Sequence, residues 1–208
     1  MNSATQSFTV QGGAGAIEAL RDLPADGVVR GTAVIAHPHP LFAGTMQNKV
    51  VQTLARAFVQ CGWQAVRFNF RGVGASAGTY DEGRGETADM LALIEQVAPE
   101  GSLALAGFSF GAFVTSHVAQ AVSAQRSLDK LVLVGTAASR FTVAPVAPEL
   151  HERTLVIHGE QDDTVELSSV KDWARPQTLP VTVIPGVEHF FHGQLPLLKS
   201  LVVRHLQG

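Results

Sequence analysis

Apolar residues in this chain fall into short continuous runs that alternate with longer stretches spaced every three or four positions. The runs 31–36, 64–70, 103–108, 131–135, 155–159 and 181–185 have the length and density of strands covered on both faces. Between and after them, 46–60, 85–98, 110–125, 167–174 and 194–206 carry helical spacing. In the first of these Val50, Val51, Leu54, Ala55 and Phe58 form the inner stripe and Gly62 is the stop. Upstream, 8–23 alternates around Gly12-Gly13-Ala14-Gly15, which predicts an antiparallel hairpin at a sheet edge, and Pro24 and Gly27 mark the turn that follows. Strand and helix in this alternation predict one α/β domain over 1–208, a mostly parallel sheet with helices on both faces. Ligands of such sheets bind beyond the carboxyl ends of the strands. The loops 37–44, 71–78, 107–110, 136–142, 159–165 and 186–192 are therefore expected to face one site.

Composition narrows the partners. With 208 residues, 46% hydrophobic and 16% charged, the chain has ample material for a two-sided core. A net charge of −3 without a charge run argues against nucleic acid or an anionic membrane as partner and points to a small molecule. The single cysteine, Cys61, sits before Gly62 at a helix end and reads as a packed thiol. Residues 1–10 lack the basic start and apolar centre of an export signal, and no run reaches membrane-spanning length, so the expected location is cytoplasmic.

Candidate chemistry centres on Gly107-Phe108-Ser109-Phe110-Gly111, where a buried strand turns into a helix. Glycines on either side of such a turn remove Cβ atoms that would strike the neighbouring helix or strand, and Ser109 is thrust above the sheet. The helix start supplies N–H groups and a positive dipole end beside it. The competing reading is a glycine packing device with no chemistry. A serine hydroxyl needs a base within reach, and the base needs a carboxylate to hold its tautomer. Two strand-end loops carry such groups: His158-Gly159-Glu160-Gln161-Asp162-Asp163 and Gly186-Val187-Glu188-His189-Phe190-Phe191-His192.

Five pieces, His37-Pro38-His39-Pro40 through Val50, Phe70 through Ser76, Gly107 to Gly111, Gly159 to Asp162, and Gly186 to His189, span almost the whole chain. On them the sequence resembles the α/β-hydrolase superfamily, and within it a small, capless bacterial branch of esterase-like proteins with a His-Pro-His-Pro motif near the N-terminus. The resemblance implies an α/β-hydrolase fold, and the order Ser109, Asp162, His189 is the superfamily's order of nucleophile, acid and base. It also implies hydrolysis of small carboxylic esters, with thioesters as the alternative, and neither metal nor cofactor. One departure is Ala43, where such proteins often repeat glycine. Superfamily spacing after Gly159 favours Asp162 over Glu160 and over Asp163, which reads as a solvated helix cap. His189, directly after a turn, is favoured over His192, which reads as a rim residue.

The remaining candidates divide by chemistry. His37 and His39 invite a metal reading, but their prolines argue for a rigid loop and no third ligand has suitable spacing. Arg71 reads as a loop brace, with a substrate-carboxylate role as the alternative; His117 and His151 read as ordinary helix or surface residues. For an oxyanion hole, one donor is the N–H of Phe110. Pro38 and Pro40 have none to give, which leaves His39 and then Leu41, and the superfamily's His-Gly-x-Pro form of this loop makes His39 the first choice. Phe42, Phe141 and Phe190 flank the catalytic loops as a candidate substrate pocket. Where many relatives insert a cap, this chain has only 136–153, interrupted by Pro145 and Pro148. An open cleft suited to short acyl groups follows, unless a second copy covers the mouth as a homodimer. A catalytically silent binding module is the reading from another class. Peptide hydrolysis is disfavoured, because no second domain is expected to select a chain.

Overall fold

The computed structural model describes residues 5–208, so the export-signal reading of 1–10 lies partly outside the described residues. Eight strands, β1 (Thr5–Gly12), β2 (Gly15–Asp22), β3 (Thr32–Ala36), β4 (Gln64–Phe68), β5 (Leu103–Phe108), β6 (Lys130–Val134), β7 (Thr154–Gly159) and β8 (Val181–Ile184), form one sheet in the order β1-β2-β4-β3-β5-β6-β7-β8. The hairpin β1–β2 is antiparallel and joins β4 antiparallel; every pairing from β4 to β8 is parallel. Five helices, α1 (Lys49–Gln60), α2 (Arg84–Val97), α3 (Phe110–Ser123), α4 (Leu167–Ala174) and α5 (Leu195–Gln207), cover it.

The period of two along each central strand divides the core. Leu103 and Leu105 of β5, Val34 of β3 and Leu131 and Leu133 of β6 pack with α2 and α3. Ala104, Ala106, Ile35, Val132 and Val134 face α1 and α5. Small alanines on the second face let Phe58 of α1 lie close to the sheet, fully buried. Cys61 is buried, as its place at the helix end suggested.

Two expectations are corrected by tertiary contacts. Helix α1 begins at Lys49 and not at 46, because the Asn48 side chain accepts the Val50 N–H (2.8 Å) while the Met46 N–H is taken by Asn69 Oδ1 (2.9 Å). The loop 71–78 does not face the common site. Glu18 of β2 accepts hydrogen bonds from Asn69 and from the Ala75 N–H, and the Ala77 N–H bonds the Ala16 carbonyl, so this loop folds back onto the hairpin. Arg71 forms a bidentate pair with Asp89 (2.8 and 2.9 Å) that braces the loop and leaves its guanidinium committed.

The segment 136–153 holds a 3₁₀ turn at Pro148–Arg153 and no inserted helix. It is stitched to the body. The Ala144 N–H donates to Ser116 Oγ, Trp173 Nε1 donates to the Ala144 carbonyl, the Val146 N–H donates to Gln177 Oε1, and His117 bonds the Thr142 carbonyl. Among the described residues no helix is long and apolar enough to cross a membrane.

Candidate active site

The turn from β5 to α3 is held by close packing. A Cβ on Gly107 would lie 2.4 Å from the Gly111 carbonyl oxygen, and one on Gly111 would lie 2.5 Å from the carbonyl oxygens of Ala36 and His37, so neither position admits a side chain. Ser109 between them sits at φ 58°, ψ −119°, a conformation rare for an L-residue, and its N–H is tied to the Val134 carbonyl at 2.9 Å.

Three strand ends then meet. Ser109 Oγ is 3.0 Å from His189 Nε2, and His189 Nδ1 is 2.6 Å from Asp162 Oδ2. All three residues are buried, at 7% exposure or less. The other oxygen of Asp162 accepts the Thr164 and Val165 N–H groups (3.0 and 2.7 Å). Burial alone would push the Asp162 carboxyl up, but the bond to His189, its charge and the Val165 N–H together hold it below the usual carboxylate range. The alternatives lie elsewhere: Asp163 is exposed and touches only Thr164, and His192 pairs with Glu188 at 3.0 Å on the surface.

The His-Pro-His-Pro segment is a fixed loop. His37 is fully buried, and its Nε2 accepts the Phe70 N–H (3.0 Å), so Nδ1 carries the proton and donates to the Pro38 carbonyl (2.6 Å). Both ring nitrogens are thus engaged, which leaves His37 no lone pair for a metal. Burial pushes its pKa down to about 4 against the raising effect of the Pro38 bond. A trans peptide carries its C=O and N–H on opposite edges, so the bond that draws the Pro38 carbonyl to His37 turns the His39 N–H the other way. The next turn, Pro40–Phe42, uses the His39 ring as cap: Leu41 N–H donates to His39 Nδ1 (3.2 Å), while the Leu41 side chain is 66% exposed. Ala43 supplies the left-handed residue (φ 58°) that glycine would adopt without strain.

These loops enclose a cleft of about 380 Å³. Ser109, Phe110 and His189 form its floor, and Pro38, His39, Phe42, Phe141 and Phe190 form its walls. Phe141 stacks on Phe113 at 4.7 Å and meets Phe110 edge-on, so one wall is rigid; Phe42 is 78% exposed at the rim. Sequence reasoning did not single out Asn48, Arg140, Thr164 or Val165, which also line the cleft. Thr164 and Val165 follow Asp162 directly and could have been suspected; a loop arginine such as Arg140 carries no local signal. Also missed was a role for His158, whose Nε2 lies 2.9 Å from the Val165 carbonyl and 3.3 Å from Asp162 Oδ2. A larger depression, lined by Asp22, Arg56, Arg67 and Lys199, holds none of these groups.

Comparison with known proteins agrees with the fold. Residues 44–145 match the family model described as serine aminopeptidase, S33, a span that includes Ser109 but neither Asp162 nor His189. The chain is similar to the crystal structure of XC6422 from Xanthomonas campestris, an α/β serine hydrolase without a lid (34% identity, TM-score 0.88, covering 100% of this chain and 95% of that one). It is also similar to an α/β serine hydrolase homologue from Coxiella burnetii (38% identity, TM-score 0.81, 97% of each chain). An uncharacterised protein of Rickettsia prowazekii is 30% identical over 173 residues, 76% of this chain and 71% of its own length.

Proposed function

Because the chain belongs to the α/β-hydrolase superfamily, beside its lidless bacterial serine hydrolases, we propose that it cleaves small carboxylic esters through an acyl-enzyme on Ser109. The observation that carries this reading is the unbroken hydrogen-bonded line from Asp162 through His189 to a strained serine on the cleft floor. His189 Nε2 takes the Ser109 proton as Oγ bonds to the carbonyl carbon, and Asp162 stabilises the imidazolium. On collapse the ester C–O bond breaks, His189 returns the proton to the leaving alcohol, and the acyl group stays on Ser109. A water deprotonated by His189 then repeats the sequence, releasing the acid and restoring the serine.

The developing oxyanion needs donors that are already in place. The Phe110 N–H opens α3 and has no protein acceptor among the described residues. For the second donor His39 is favoured over Leu41, whose N–H is spent on the His39 ring. The His37 ring reaches toward Phe70 at the end of β4, on one side of β3, while Ser109 follows β5 on the other. A Pro38 carbonyl drawn to His37 therefore aims the His39 N–H at the Ser109 side.

The family description raises peptides as substrates. An aminopeptidase must hold a free ammonium, for which the cleft offers the cationic Arg140 and no unpaired carboxylate. Esters fit better, and thioesters would follow the same route. Fluorophosphonate labelling with peptide mapping tests the proposal: one adduct per chain on Ser109, absent in Ser109→Ala, is expected. An unlabelled native protein would leave the silent binding module as the better reading.

A further inference from the structure

Arginines in this protein are engaged almost without exception. Arg67 and Arg71 hold buried or half-buried carboxylates, Arg84 and Arg175 pair on the surface, and Arg30, Arg56, Arg126 and Arg153 bond carbonyl or side-chain oxygens, while Arg21 lies over Phe8. Among the described residues only Arg140 and Arg204 have no such partner. Arg204 is on an outer helix; Arg140 lines the cleft that holds Ser109.

The backbone under Arg140 is fixed. Its N–H and that of Phe141 both bond the Ala137 carbonyl, Phe141 is locked in the aromatic stack, and the segment beyond is stitched to α3 and α4. Other than histidine, Arg140 is, among the described residues, the only one with a charged side chain lining the cleft. No carboxylate lines the cleft; in the loops beside it Asp162 is held by His189 and Glu188 by the Phe190 and His192 N–H groups, while Asp163 is exposed and bonds Thr164. Its charge reaches the site, for it adds to burial in holding the His39 imidazole below its ordinary pKa. The substrate-carboxylate role that the sequence offered to Arg71 has no free guanidinium there and finds one here.

We infer that Arg140 selects substrates bearing an anionic oxygen group, a carboxylate or a phosphate, a few bonds from the ester carbonyl. This rests on the ester-hydrolase reading above. A planar guanidinium takes such a group in two charge-assisted bonds, and because Arg140 is exposed where it lines the cleft, water and salt compete for it. The energy is gained in binding and orientation, so it shows in kcat/KM.

The experiment uses two matched pairs. On the acyl side, 4-nitrophenyl hydrogen adipate is compared with 4-nitrophenyl hexanoate; on the leaving side, 4-carboxyphenyl butyrate is compared with its methyl ester. A third arm replaces that carboxylate with phosphate to separate the two anion sources. The readout is the anionic-to-neutral ratio of kcat/KM in wild type, Arg140→Gln and Arg140→Lys. In at least one pair the ratio should fall about tenfold in Arg140→Gln, be partly kept in Arg140→Lys, and shrink in wild type as salt rises. A ratio unchanged within about twofold in every pair overturns the inference. Failure of wild type to hydrolyse even the neutral esters would instead refute the ester reading, and this inference with it.

Discussion

Protonating His37 would put a hydrogen on Nε2, where the Phe70 N–H already points, so the imidazolium cannot coexist with that bond. The folded pKa of about 4 lies below the ordinary 6.5, which means the unfolded chain binds more protons between these values. Stability from this residue is therefore complete above about pH 6.5 and is lost as pH falls toward 4. The full difference is about 3 kcal/mol, of which about 2 kcal/mol falls between pH 7 and pH 5. His205, also lowered to about 4, acts with the same sign, so the test is a difference between proteins. Urea unfolding at pH 7 and pH 5 should show wild type losing about 2 kcal/mol more over the interval than His37→Gln. Gln offers one donor and one acceptor and does not titrate, but its amide does not reproduce the spacing of the two ring nitrogens that join Pro38 to Phe70. The same variant loosens the Pro38 carbonyl, so at pH 8 its kcat on a short ester should drop about 10- to 100-fold with KM nearly unchanged. Parallel stability losses in the two proteins would refute the buried neutral histidine, and a raised KM with intact kcat would refute its link to the His39 N–H.

Other expectations are simpler to test. Asp162→Asn should cost about 10⁴ in kcat by favouring the wrong imidazole tautomer, whereas Asp163→Asn should cost little; steady-state kinetics that reverse this ranking would move the acid one residue along. Across 4-nitrophenyl esters kcat/KM should climb by about 0.8 kcal/mol per CH₂ and level off near six acyl carbons, where the chain leaves the open cleft; an optimum at ten or more would argue for a covered site. Ala43→Gly should raise stability by about 0.5 to 1 kcal/mol in thermal or urea unfolding, since it relieves a left-handed alanine, and a lower midpoint would contradict that strain.

Much of this architecture was readable in one dimension, because its signals are local. Leu103 to Phe108 is apolar on both faces, and Gly107 is required by the Gly111 carbonyl of its own turn, although Gly111 answers to the Ala36 and His37 carbonyls at the end of β3. The hydrogen-bonded meeting of Ser109, His189 and Asp162 follows from strand ends that a parallel sheet places together. What could not be read depends on distant partners. The start of α1 is decided by Asn69 competing for the Met46 N–H, and the course of 71–78 by Glu18 on the hairpin. Arg71 and Arg140 look alike in sequence; only the position of Asp89 tells the committed one from the free one. His37 looked like a loop residue and is a buried clamp, because its acceptor nitrogen meets a backbone N–H more than thirty residues away.

The stitching of 136–153 to α3 and α4 has a consequence for how turnover is paced. A wall held by side-chain bonds from two helices has no hinge of its own, so this side of the mouth keeps its place whether or not substrate is present. No closure of this segment then stands between encounter and chemistry. Slowing diffusion with a viscogen should leave kcat on activated esters untouched, and fixing the protein in a crystal or on a solid support should preserve turnover as long as solvent reaches the cleft.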